Sequence, residues 1–412
     1  MYTLDLDPRG ILMGYSTPQD IEKFMAQLGD NPMFVCDMDG NVMEGYSLNE
    51  GQSLVLSSTD NPKTQSIPFG TTLKQLDDLV EQGVLKTGVF AEKSMDARLP
   101  QDLVDFLNDR IANNSPFNLT FLTSRAADDA RRLLVESGVA NIDKVTLVAD
   151  SGATLYISGQ KQQVCKLSDH EGAYLNGVES LAENLQSDVN DLIKQHVPDF
   201  AGDIPALFVE HKGIATNIHY RAVLSAVGQG ENSDLDKAIG AFIKGKLQSY
   251  VDAAESPKEE DGKPVFKTLD GPATVEMKVA SVNKGHGLAA MMEASFGPEN
   301  PRLPTAVVVT GDDVAKGEGT GTDYYMMVRS RALGLEKGVP TFNIHTHHAV
   351  GNNVNGTEPD PNKSPTRLAA QFPQPPIDIT VPTPKALGQV ILRAFGSVLS
   401  AIEKPAPRAE RA

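Results

Sequence analysis

Asp37 and Asp39 have the clearest potential for chemistry in this sequence. They follow the apolar run Met33-Phe34-Val35-Cys36, which predicts a buried strand, and Gly40 turns the chain directly after them. In open α/β sheets, ligands bind outside the carboxyl ends of the strands. The pair therefore suits a carboxylate nucleophile beside an acid/base group, with oxygen ligands for a divalent metal ion.

Polar side chains follow other predicted strands as well. Each has a more ordinary interpretation when taken alone, such as an acidic turn or, for a threonine, a helix N-cap. Together they place several chemically competent groups at one edge of a sheet. They are Thr123, or its neighbour Ser124, after the strand at 118–122, Asp150 after 144–148, and Asp312 and Asp313 after 306–310.

The elements that must position these residues alternate between strand and helix. Residues 1–158 predict a βαβαβ order, typical of a parallel sheet, with a loop-rich insertion at about 41–95. Residues 159–281 change to helices and about four antiparallel strands, and the first order resumes at 282–403. We therefore predict an α/β core domain that is interrupted by an inserted α+β cap domain, with a disordered tail at 404–412.

This order of motifs resembles the haloacid dehalogenase superfamily. That superfamily has an Asp-x-Asp, a Ser or Thr at a strand end, a Lys and an acidic turn, in this order along the chain. The matching residues here are Asp37 and Asp39, Thr123, Lys284, and Asp312 with Asp313. The resemblance implies a Rossmannoid core with a parallel sheet, a cap domain and a Mg²⁺-dependent phosphatase.

The residue types also fit the hydrolysis of a phosphate monoester, which is very slow without a catalyst. Asp37 would attack phosphorus, and Asp39 would protonate the leaving oxygen and then deprotonate water. Thr123 and Lys284 would donate hydrogen bonds to the phosphoryl oxygens. The predicted Mg²⁺ ligands are Asp37, Asp39 through its backbone carbonyl, Asp312 and Asp313.

The cap carries the most specific resemblance. Val209-Glu210-His211-Lys212-Gly213 is followed by His219-Tyr220-Arg221, and Glu276-Met277-Lys278 precedes Asn283-Lys284-Gly285. These segments are similar to those of the trehalose-6-phosphate phosphatase family, whose cap has a Glu-Asp-Lys-Gly-like strand, a His-Tyr-Arg and a Glu-x-Arg/Lys. The implied substrate-binding residues are Arg125, Glu210, Lys212, His219, Arg221, Glu276 and Lys278.

The cap charges have a second interpretation. Alternation places Glu210 with Lys212, His219 with Arg221 and Glu276 with Lys278, each pair on one face of a strand. Without the resemblance, cross-strand ion pairs on a solvated face would explain these charges better than sugar contacts. A structural role for His219 and Arg221, tying the cap sheet together, is an equal alternative to substrate binding.

Four features depart from the trehalose-6-phosphate phosphatase pattern. Asn41 stands where Thr is usual, Thr123-Ser124-Arg125 replaces Ser-Gly-Arg, and the segment at 41–95 is long. The usual Gly-Asp-Asp-x-Thr-Asp-Glu is interrupted by the Gly-rich segment 315–321, so that Asp323 follows late. The nucleophile is unaffected, whereas the details of metal coordination and turnover, and whether Asp323 reaches the Lys284 side of the site, are left open.

Composition restricts the class of partner. The 412 residues include 37 basic and 54 acidic ones, a net charge of −17, which argues against nucleic acid because phosphate backbones need Lys and Arg. No stretch approaches membrane-span length, the N-terminus lacks a signal-peptide pattern, and two cysteines provide no disulfide framework. We expect a cytoplasmic protein that acts on a small-molecule sugar phosphate, without nucleic-acid or membrane partners.

These observations predict a Mg²⁺-dependent phosphatase that hydrolyses trehalose 6-phosphate to trehalose and phosphate, in trehalose biosynthesis. The family resemblance also implies a functional link to a trehalose-phosphate synthase. One alternative is a phosphatase for sucrose phosphate or a glycosyl-phosphoglycerate. Another is a catalytically silent domain that binds sugar phosphates. The disrupted acidic turn favours the silent domain, whereas the retention of both Asp37 and Asp39 argues against it.

Overall fold

A computed structural model describes most of the chain. The described residues are 16–39, 41–43, 53–58, 64–68, 90–94, 98–114, 118–200, 205–230, 233–271, 273–296, 303–312, 322–346 and 377–402, with Gln75, Asp78 and Gln82 as isolated positions. Gly40, Asp313, the Gly-rich segment 315–321 and the tail at 404–412 lie outside them.

The described elements are numbered in chain order. The strands are β1 (Pro32–Asp37), β2 (Ser53–Ser58), β3 (Thr64–Pro68), β4 (Phe90–Ser94), β5 (Leu119–Leu122), β6 (Thr146–Ala149), β7 (Thr154–Ile157), β8 (Gln160–Gln163), β9 (Phe208–His211), β10 (Ala215–His219), β11 (Phe266–Gly271), β12 (Thr274–Val279), β13 (Ala306–Gly311), β14 (Thr341–Thr346) and β15 (Ile379–Val381). The helices are α1 (Pro18–Met25), α2 (Gln101–Ala112), α3 (Ala127–Glu136), α4 (Asp169–Asn176), α5 (Val178–His196), α6 (Arg221–Ala226), α7 (Asp234–Asp252), α8 (Lys284–Phe296), α9 (Thr322–Lys337) and α10 (Pro384–Ile402).

The core domain is built on an eight-stranded sheet with the order β15-β14-β13-β1-β5-β6-β7-β8. Pairing is parallel from β15 to β6 and antiparallel from β6 to β8. The chain leaves β1 towards β5 and β6 and later returns on the other side as β13 and β14. The carboxyl end of β1 is therefore a topological switch point, where open α/β sheets bind ligands.

Helices cover both faces of this sheet. Phe34 and Cys36 of β1 point to an apolar cluster shared with α1, α2, α3 and α10, whereas Met33 and Val35 point to a second cluster with α8 and α9. This alternation explains the uninterrupted apolar run in β1, because a strand that is covered on both faces has no solvent side. The start of α1 is set by Thr17, whose side chain forms a capping box with Asp20.

The cap is an antiparallel four-stranded sheet with the order β11-β12-β10-β9. One face packs on α5 and α7, through side chains such as Ile218, Met277 and Ile243. The opposite face carries Glu210, Asn217, Glu276 and Lys278, since Asn217 lies opposite both Glu210 and Glu276. The cap sheet therefore has one apolar and one polar face, as expected for a sheet with helices on one side only.

The segment after Gly40 contributes a third sheet, in which β2 pairs antiparallel with both β3 and β4. Its strand β4 lies beside β9, the edge strand of the cap sheet. Between this sheet's strands β3 and β4, only Gln75, Asp78 and Gln82 are described. None of the helices in the described ranges combines the length and apolar character needed to cross a bilayer.

The predicted fold class, an α/β core with a mostly parallel sheet and an inserted α+β cap, is confirmed. Two details differ from the sequence prediction. The hairpin strand β8, at residues 160–163, pairs with β7 in the core sheet and lies beyond residue 158, the proposed end of the core segment. Arg221 begins helix α6, so the strand that contains His219 ends before it.

Candidate active site

Four charged side chains meet at the carboxyl end of β1. Lys284 Nζ lies 2.7 Å from Asp37 Oδ1 and 2.6 Å from Asp323 Oδ1. The other carboxylate oxygen of Asp323 accepts a hydrogen bond from the backbone N–H of Asp312 at 3.0 Å. Asp37, Lys284 and Asp323 are all buried, at 5%, 2% and 0% exposure. The strand ends of β1 and β13 and the first turns of α8 and α9 therefore supply one buried charged cluster.

Lys284 is held in place by the way α8 begins. Asn283 Oδ1 accepts hydrogen bonds from the backbone N–H groups of Gly285 and His286, as an N-cap does. The first turn of α8 then packs directly on the turn after β6, where a Cβ on Gly287 would lie 2.5 Å from the Cα of Gly152. Both positions need glycine for this approach, which sets the distance between α8 and the sheet.

Asp323 reaches the site because β13 ends in a glycine. A Cβ on Gly311 would lie 2.6 Å from the carboxylate oxygen Oδ2 of Asp323. The position of Asp323 at the start of α9 also brings its negative charge to a helix N-terminus, where the helix dipole favours it. Asp323 therefore contacts Lys284, although the Gly-rich segment separates it from Asp312 in the sequence. The sequence had left this contact undecided.

The cluster has more negative than positive charge. Burial, together with the charges of Asp323 and Asp39, raises the pKa of Asp37 well above its ordinary value, and Lys284 opposes this shift. Burial alone would lower the pKa of Lys284, but Asp323 and Asp37 raise it above its ordinary value. One ammonium group thus faces the carboxylates of Asp37, Asp312 and Asp323, so an additional cation would stabilise the ionised nucleophile.

The same carboxylates fit a divalent metal ion. One carboxylate oxygen from each of Asp37, Asp312 and Asp323 lies within 4.8 Å of the others. Hard oxygen ligands of this kind, few in number and leaving room for water and phosphate, are those that Mg²⁺ prefers. Of the four predicted ligands, Asp37 and Asp312 are in this group, the Asp39 side chain points elsewhere, and Asp313 lies outside the described residues.

The carboxylate of Asp39 is bound to Arg125. Arg125 Nε lies 2.9 Å from Oδ1 and 2.7 Å from Oδ2 of Asp39. The same guanidinium contacts Asp129 on α3, with NH1 2.7 Å from Oδ2. Asp129 in turn binds Arg132 at 2.7 Å. The acid/base candidate is therefore one end of a chain of charged groups that continues into α3.

Thr123 is placed at the end of β5, opposite the end of β1. Its Oγ1 accepts a hydrogen bond from the backbone N–H of Arg125 at 3.1 Å, which leaves the hydroxyl proton available to a ligand. Ser124 Oγ is buried and has no hydrogen-bond partner among the described residues. Both hydroxyls therefore have a donor to offer, and the assignment of the phosphate-binding group to Thr123, with Ser124 as the alternative, stays a prediction.

Asp150 has a structural position at the end of β6. Its carboxylate accepts hydrogen bonds from Thr154 Oγ1 at 2.6 Å and from the backbone N–H of Ala127, the first residue of α3, at 3.2 Å. Burial raises the pKa of Asp150, and these hydrogen bonds oppose the shift. Its backbone N–H donates to the carbonyl of Arg125, so Asp150 fixes the loop that carries Thr123 and Arg125.

The side chain of Asn41 forms hydrogen bonds to the ends of several strands of the core sheet. Its fully buried amide lies 2.5 Å from Thr310 Oγ1 and 2.8 Å from Thr346 Oγ1. With the amide oriented so that both ends are satisfied, it also donates to the carbonyl of Asp37 and accepts from the backbone N–H of Gly311. Asn41 therefore connects the ends of β1, β13 and β14 beside the charged cluster.

The polar face of the cap holds a second charged cluster. Glu210 Oε2 lies 3.1 Å from His219 Nε2 and 3.5 Å from Lys212 Nζ. With its amide oriented to satisfy both ends, Asn217 accepts from Lys212 Nζ at 2.6 Å and donates to Glu276 Oε1 at 3.2 Å. These contacts agree with the interpretation of the cap charges as cross-strand pairs. They also place Glu210, Lys212, His219 and Glu276 on one surface.

Lys278 is the exception in this cluster. It is 1% exposed, and it has no hydrogen-bond or ion-pair partner among the residues that the structure describes. Burial lowers the pKa of Lys278 to about 8. The attraction of Glu276 opposes this shift, and the repulsion of the neighbouring cations adds to it. These cations are Lys267, Lys212 and Lys284. The charge of Lys284 acts on Lys278, so this part of the cap lies near the core cluster.

A second contact joins the polar face of the cap to the core. Gly213 lies close to Asp150, since a Cβ added to this glycine would be 3.8 Å from Asp150 Oδ2. The charge of Lys212 also acts on Asp150 and lowers its pKa. The predicted cap residues Glu210, Lys212, Glu276 and Lys278 thus lie on the face turned towards the ends of the core strands.

His219 and Arg221 do not share a strand face, so that sequence prediction is wrong. His219 is the last residue of β10 and contacts Glu210, whereas Arg221 is the first residue of α6. His219 therefore belongs to the polar cap cluster through Glu210, and the position of Arg221 is set by a helix.

Comparison with known proteins gives structural similarity only. No protein-family model and no curated protein sequence matches the chain. Solved structures that resemble this one include trehalose-6-phosphate phosphatases and a trehalose-6-phosphate phosphatase related protein. The C-terminal domain of the Candida albicans trehalose-6-phosphate phosphatase is 14% identical, with a TM-score of 0.48, over 93% of this chain and 99% of that one.

Two further solved structures are also similar to this one. The Aspergillus fumigatus trehalose-6-phosphate phosphatase is 15% identical, with a TM-score of 0.39, over 92% of this chain and 97% of that one. The C-terminal domain of the Candida albicans trehalose synthase regulatory protein is 11% identical, with a TM-score of 0.42, over 92% and 99%.

Several residues of the site were missed in the sequence. Asp129 stands four residues after Arg125, a spacing that brings two side chains together on a helix, and this signal was available. Asn217 and Lys267 lie in strands that contain other polar residues, and they belong to no motif. Lys267 lies directly opposite Lys278 in the cap sheet, which only the strand register reveals.

Proposed function

We propose that this protein is a Mg²⁺-dependent phosphatase that hydrolyses trehalose 6-phosphate through an aspartyl-phosphate intermediate on Asp37. The observation that carries the proposal is the buried contact of Asp37 with Lys284 at a topological switch point, with Asp312 and Asp323 beside it. A buried carboxylate of raised pKa, held next to an ammonium group in a negatively charged cluster, is typical of a functional site.

Each residue has a separate task in the reaction. Asp37 attacks phosphorus while the bond from phosphorus to the sugar oxygen breaks, and Asp39 gives a proton to that oxygen. In the second step Asp39 takes a proton from water, which attacks phosphorus and releases phosphate from Asp37. Lys284 and Thr123 donate hydrogen bonds to phosphoryl oxygens, where negative charge must be stabilised.

Asp37, Asp312 and Asp323 would hold Mg²⁺, together with the backbone carbonyl of Asp39. When bound, the metal ion supplies the positive charge that lets an anionic nucleophile approach an anionic phosphate. Lys284 already neutralises part of the charge of Asp37 and Asp323. Asp323 thus takes the place that the sequence gave to Asp313 in this proposal.

The cap would select the sugar. Glu210, Lys212, Glu276 and Lys278 lie on the cap face that is turned towards the core cluster, and carboxylate and ammonium groups in fixed positions suit sugar hydroxyls. Lys278 supports a ligand-binding role most directly, because a buried ammonium with no hydrogen-bond or ion-pair partner in the described ranges is unfavourable unless a ligand provides one. A phosphatase for sucrose phosphate or a glycosyl-phosphoglycerate is the alternative for this half of the proposal.

The test is phosphate release from a panel of sugar phosphates, with Mg²⁺ and with EDTA. We expect turnover of trehalose 6-phosphate well above that of glucose 6-phosphate and sucrose 6-phosphate, and loss of all activity in EDTA. Equal turnover of glucose 6-phosphate and trehalose 6-phosphate would contradict the specificity. A lack of turnover with every substrate, together with binding of trehalose 6-phosphate, would favour the silent domain.

The nucleophile is tested by Asp37→Asn. This variant should lose at least about 10³-fold in kcat while its circular dichroism spectrum stays that of the wild type. Incorporation of radiolabelled phosphate from substrate into acid-quenched protein should occur in the wild type and be absent in the variant. Substantial residual activity in Asp37→Asn would overturn covalent catalysis by this residue.

A further inference from the structure

Arg125 is fixed at both its backbone and its side chain. Its N–H donates to Thr123 Oγ1 at 3.1 Å, and its carbonyl accepts from the N–H of Asp150 at 2.8 Å. The guanidinium group is buried, with 9% of the side chain exposed. The residue therefore has little freedom to move towards a substrate, although the family resemblance would give it a substrate-binding role.

The guanidinium lies between two carboxylates. Nε is within hydrogen-bond distance of both oxygens of Asp39, at 2.9 and 2.7 Å, and NH1 is 2.7 Å from Asp129. Asp129 is 2% exposed and is also bound by Arg132. Asp129 thus anchors Arg125 to α3, and Arg125 connects this helix to the carboxylate of Asp39.

Among the described side chains, Arg125 is the one that binds the carboxylate of Asp39. Its side chain is 19% exposed, and it stands in the turn directly after β1, next to the undescribed Gly40. A carboxylate that transfers protons must stay within hydrogen-bond distance of the leaving oxygen and then of water. A displacement of about 1 Å at such a group can cost about 10²-fold in rate.

We propose that Arg125 is a positioning residue for Asp39, anchored by Asp129. This inference rests on the proposed phosphatase function, because it requires Asp39 to transfer protons. It assigns to Arg125 a role in the cleavage of poor leaving groups, since only these need a proton as the bond from phosphorus to oxygen breaks. The role is separate from binding of the phosphoryl group.

The experiment compares two substrates with different leaving groups. Trehalose 6-phosphate releases an alkoxide, which must be protonated, whereas p-nitrophenyl phosphate releases a phenolate that is stable without a proton. The constant kcat/KM reports steps up to the first irreversible one, here the transfer of the phosphoryl group to Asp37. For Arg125→Gln we expect kcat/KM to fall about 10²-fold with trehalose 6-phosphate and less than about 3-fold with p-nitrophenyl phosphate.

Two further variants separate positioning from a general structural effect. Asp129→Asn removes the charge that anchors Arg125 and should give a smaller loss, of about 10-fold, with the same dependence on the leaving group. Arg131→Gln is the matched control, because Arg131 lies on the same helix and pairs with Asp143 on the surface. It should leave both substrates unaffected.

Three outcomes would overturn the inference. An equal loss with both substrates and a raised KM would mean that Arg125 binds the phosphoryl group. Unchanged kcat/KM in Arg125→Gln would mean that Asp39 needs no such support. Failure of the proposed function is recognised separately, because the wild type itself would then release no phosphate from either substrate, and the role of Arg125 would fall with it.

Discussion

Two buried lysines, six positions apart in the sequence, differ in how their charge is satisfied. Lys284 in the core contacts Asp37 and Asp323, and these carboxylates raise its pKa above the ordinary value. Lys278 in the cap is as deeply buried, but no hydrogen-bond or ion-pair partner is found for it in the described part of the chain, and burial lowers its pKa to about 8. The core cluster is thus internally paired, and the cap cluster is incomplete.

The difference teaches which part of the site is arranged before substrate binds. In the core, Lys284 stabilises Asp37 and Asp323, and its loss would leave two carboxylates buried together. In the cap, the ammonium of Lys278 is desolvated, and within the described residues only the charge of Glu276 opposes this cost, which makes the ammonium unfavourable for folding and available to a ligand. The comparison predicts opposite effects of the same substitution at the two positions.

Lys284→Met should have the largest effect. The variant loses a donor to the transferring phosphoryl group, so kcat should fall by about 10³-fold or more. It also leaves Asp37 and Asp323 without their ammonium partner, which should lower the free energy of unfolding by about 3–5 kcal/mol in EDTA. Urea unfolding in EDTA, and phosphate release with Mg²⁺, measure the two effects. A variant of unchanged stability would show that the pairing contributes nothing.

The core part of this comparison was largely predictable from the sequence. Asp37, Asp312 and Lys284 each stand at the boundary of a strongly patterned element, and the carboxyl ends of parallel strands meet at one edge. The helix with Thr17 as its N-cap was predictable for the same kind of reason. The meeting of Asp323 with Lys284 was not, because it depends on how the chain runs between Asp312 and α9.

The cap was harder to predict, because its contacts depend on register and on where strands end. Alternation over Ile218 to Arg221 continues the strand pattern, and the apolar residues after it suit a helix or a strand equally well. The structure ends the strand at His219 and begins a helix at Arg221. The lack of a described partner for Lys278 could not be predicted either. It depends on which residues of β10 and β11 lie beside Lys278 in the cap sheet.

Lys278→Met should have the intermediate effect and act in the opposite direction on stability. Removing a buried ammonium that Glu276 stabilises only in part should raise the free energy of unfolding at pH 7 by about 1–3 kcal/mol, because its pKa of about 8 lies below the ordinary lysine value of about 10.5. The unfolded chain binds more protons between pH 8 and 10.5, so wild-type stability should rise with pH across this window and the advantage of the variant should shrink.

The same variant should bind substrate less well. Loss of a charged hydrogen-bond donor should raise KM for trehalose 6-phosphate by about 10- to 100-fold, with a much smaller change in kcat. Urea unfolding at pH 7 and 10 and steady-state kinetics at pH 7 measure both parts. A destabilised variant with unchanged KM would show that Lys278 is a structural residue whose partner lies in the undescribed part of the chain.

The pH dependence of KM should show the smallest effect and would sharpen the comparison at Lys278 itself. Below about pH 8 the ammonium is charged and donates to substrate, and above it the neutral amine binds more weakly, so KM for trehalose 6-phosphate should rise several-fold between pH 7 and 9. The phosphate group is already fully ionised over this range, because its second pKa is about 6.

The control variant Lys278→Arg keeps its charge over this range and should give a KM that does not change with pH. The substrate p-nitrophenyl phosphate, which lacks the sugar, should also give a KM that does not change with pH. The same rise in Lys278→Arg would assign the titration to another group, with Lys267 and Lys212 the nearest cations on the cap face.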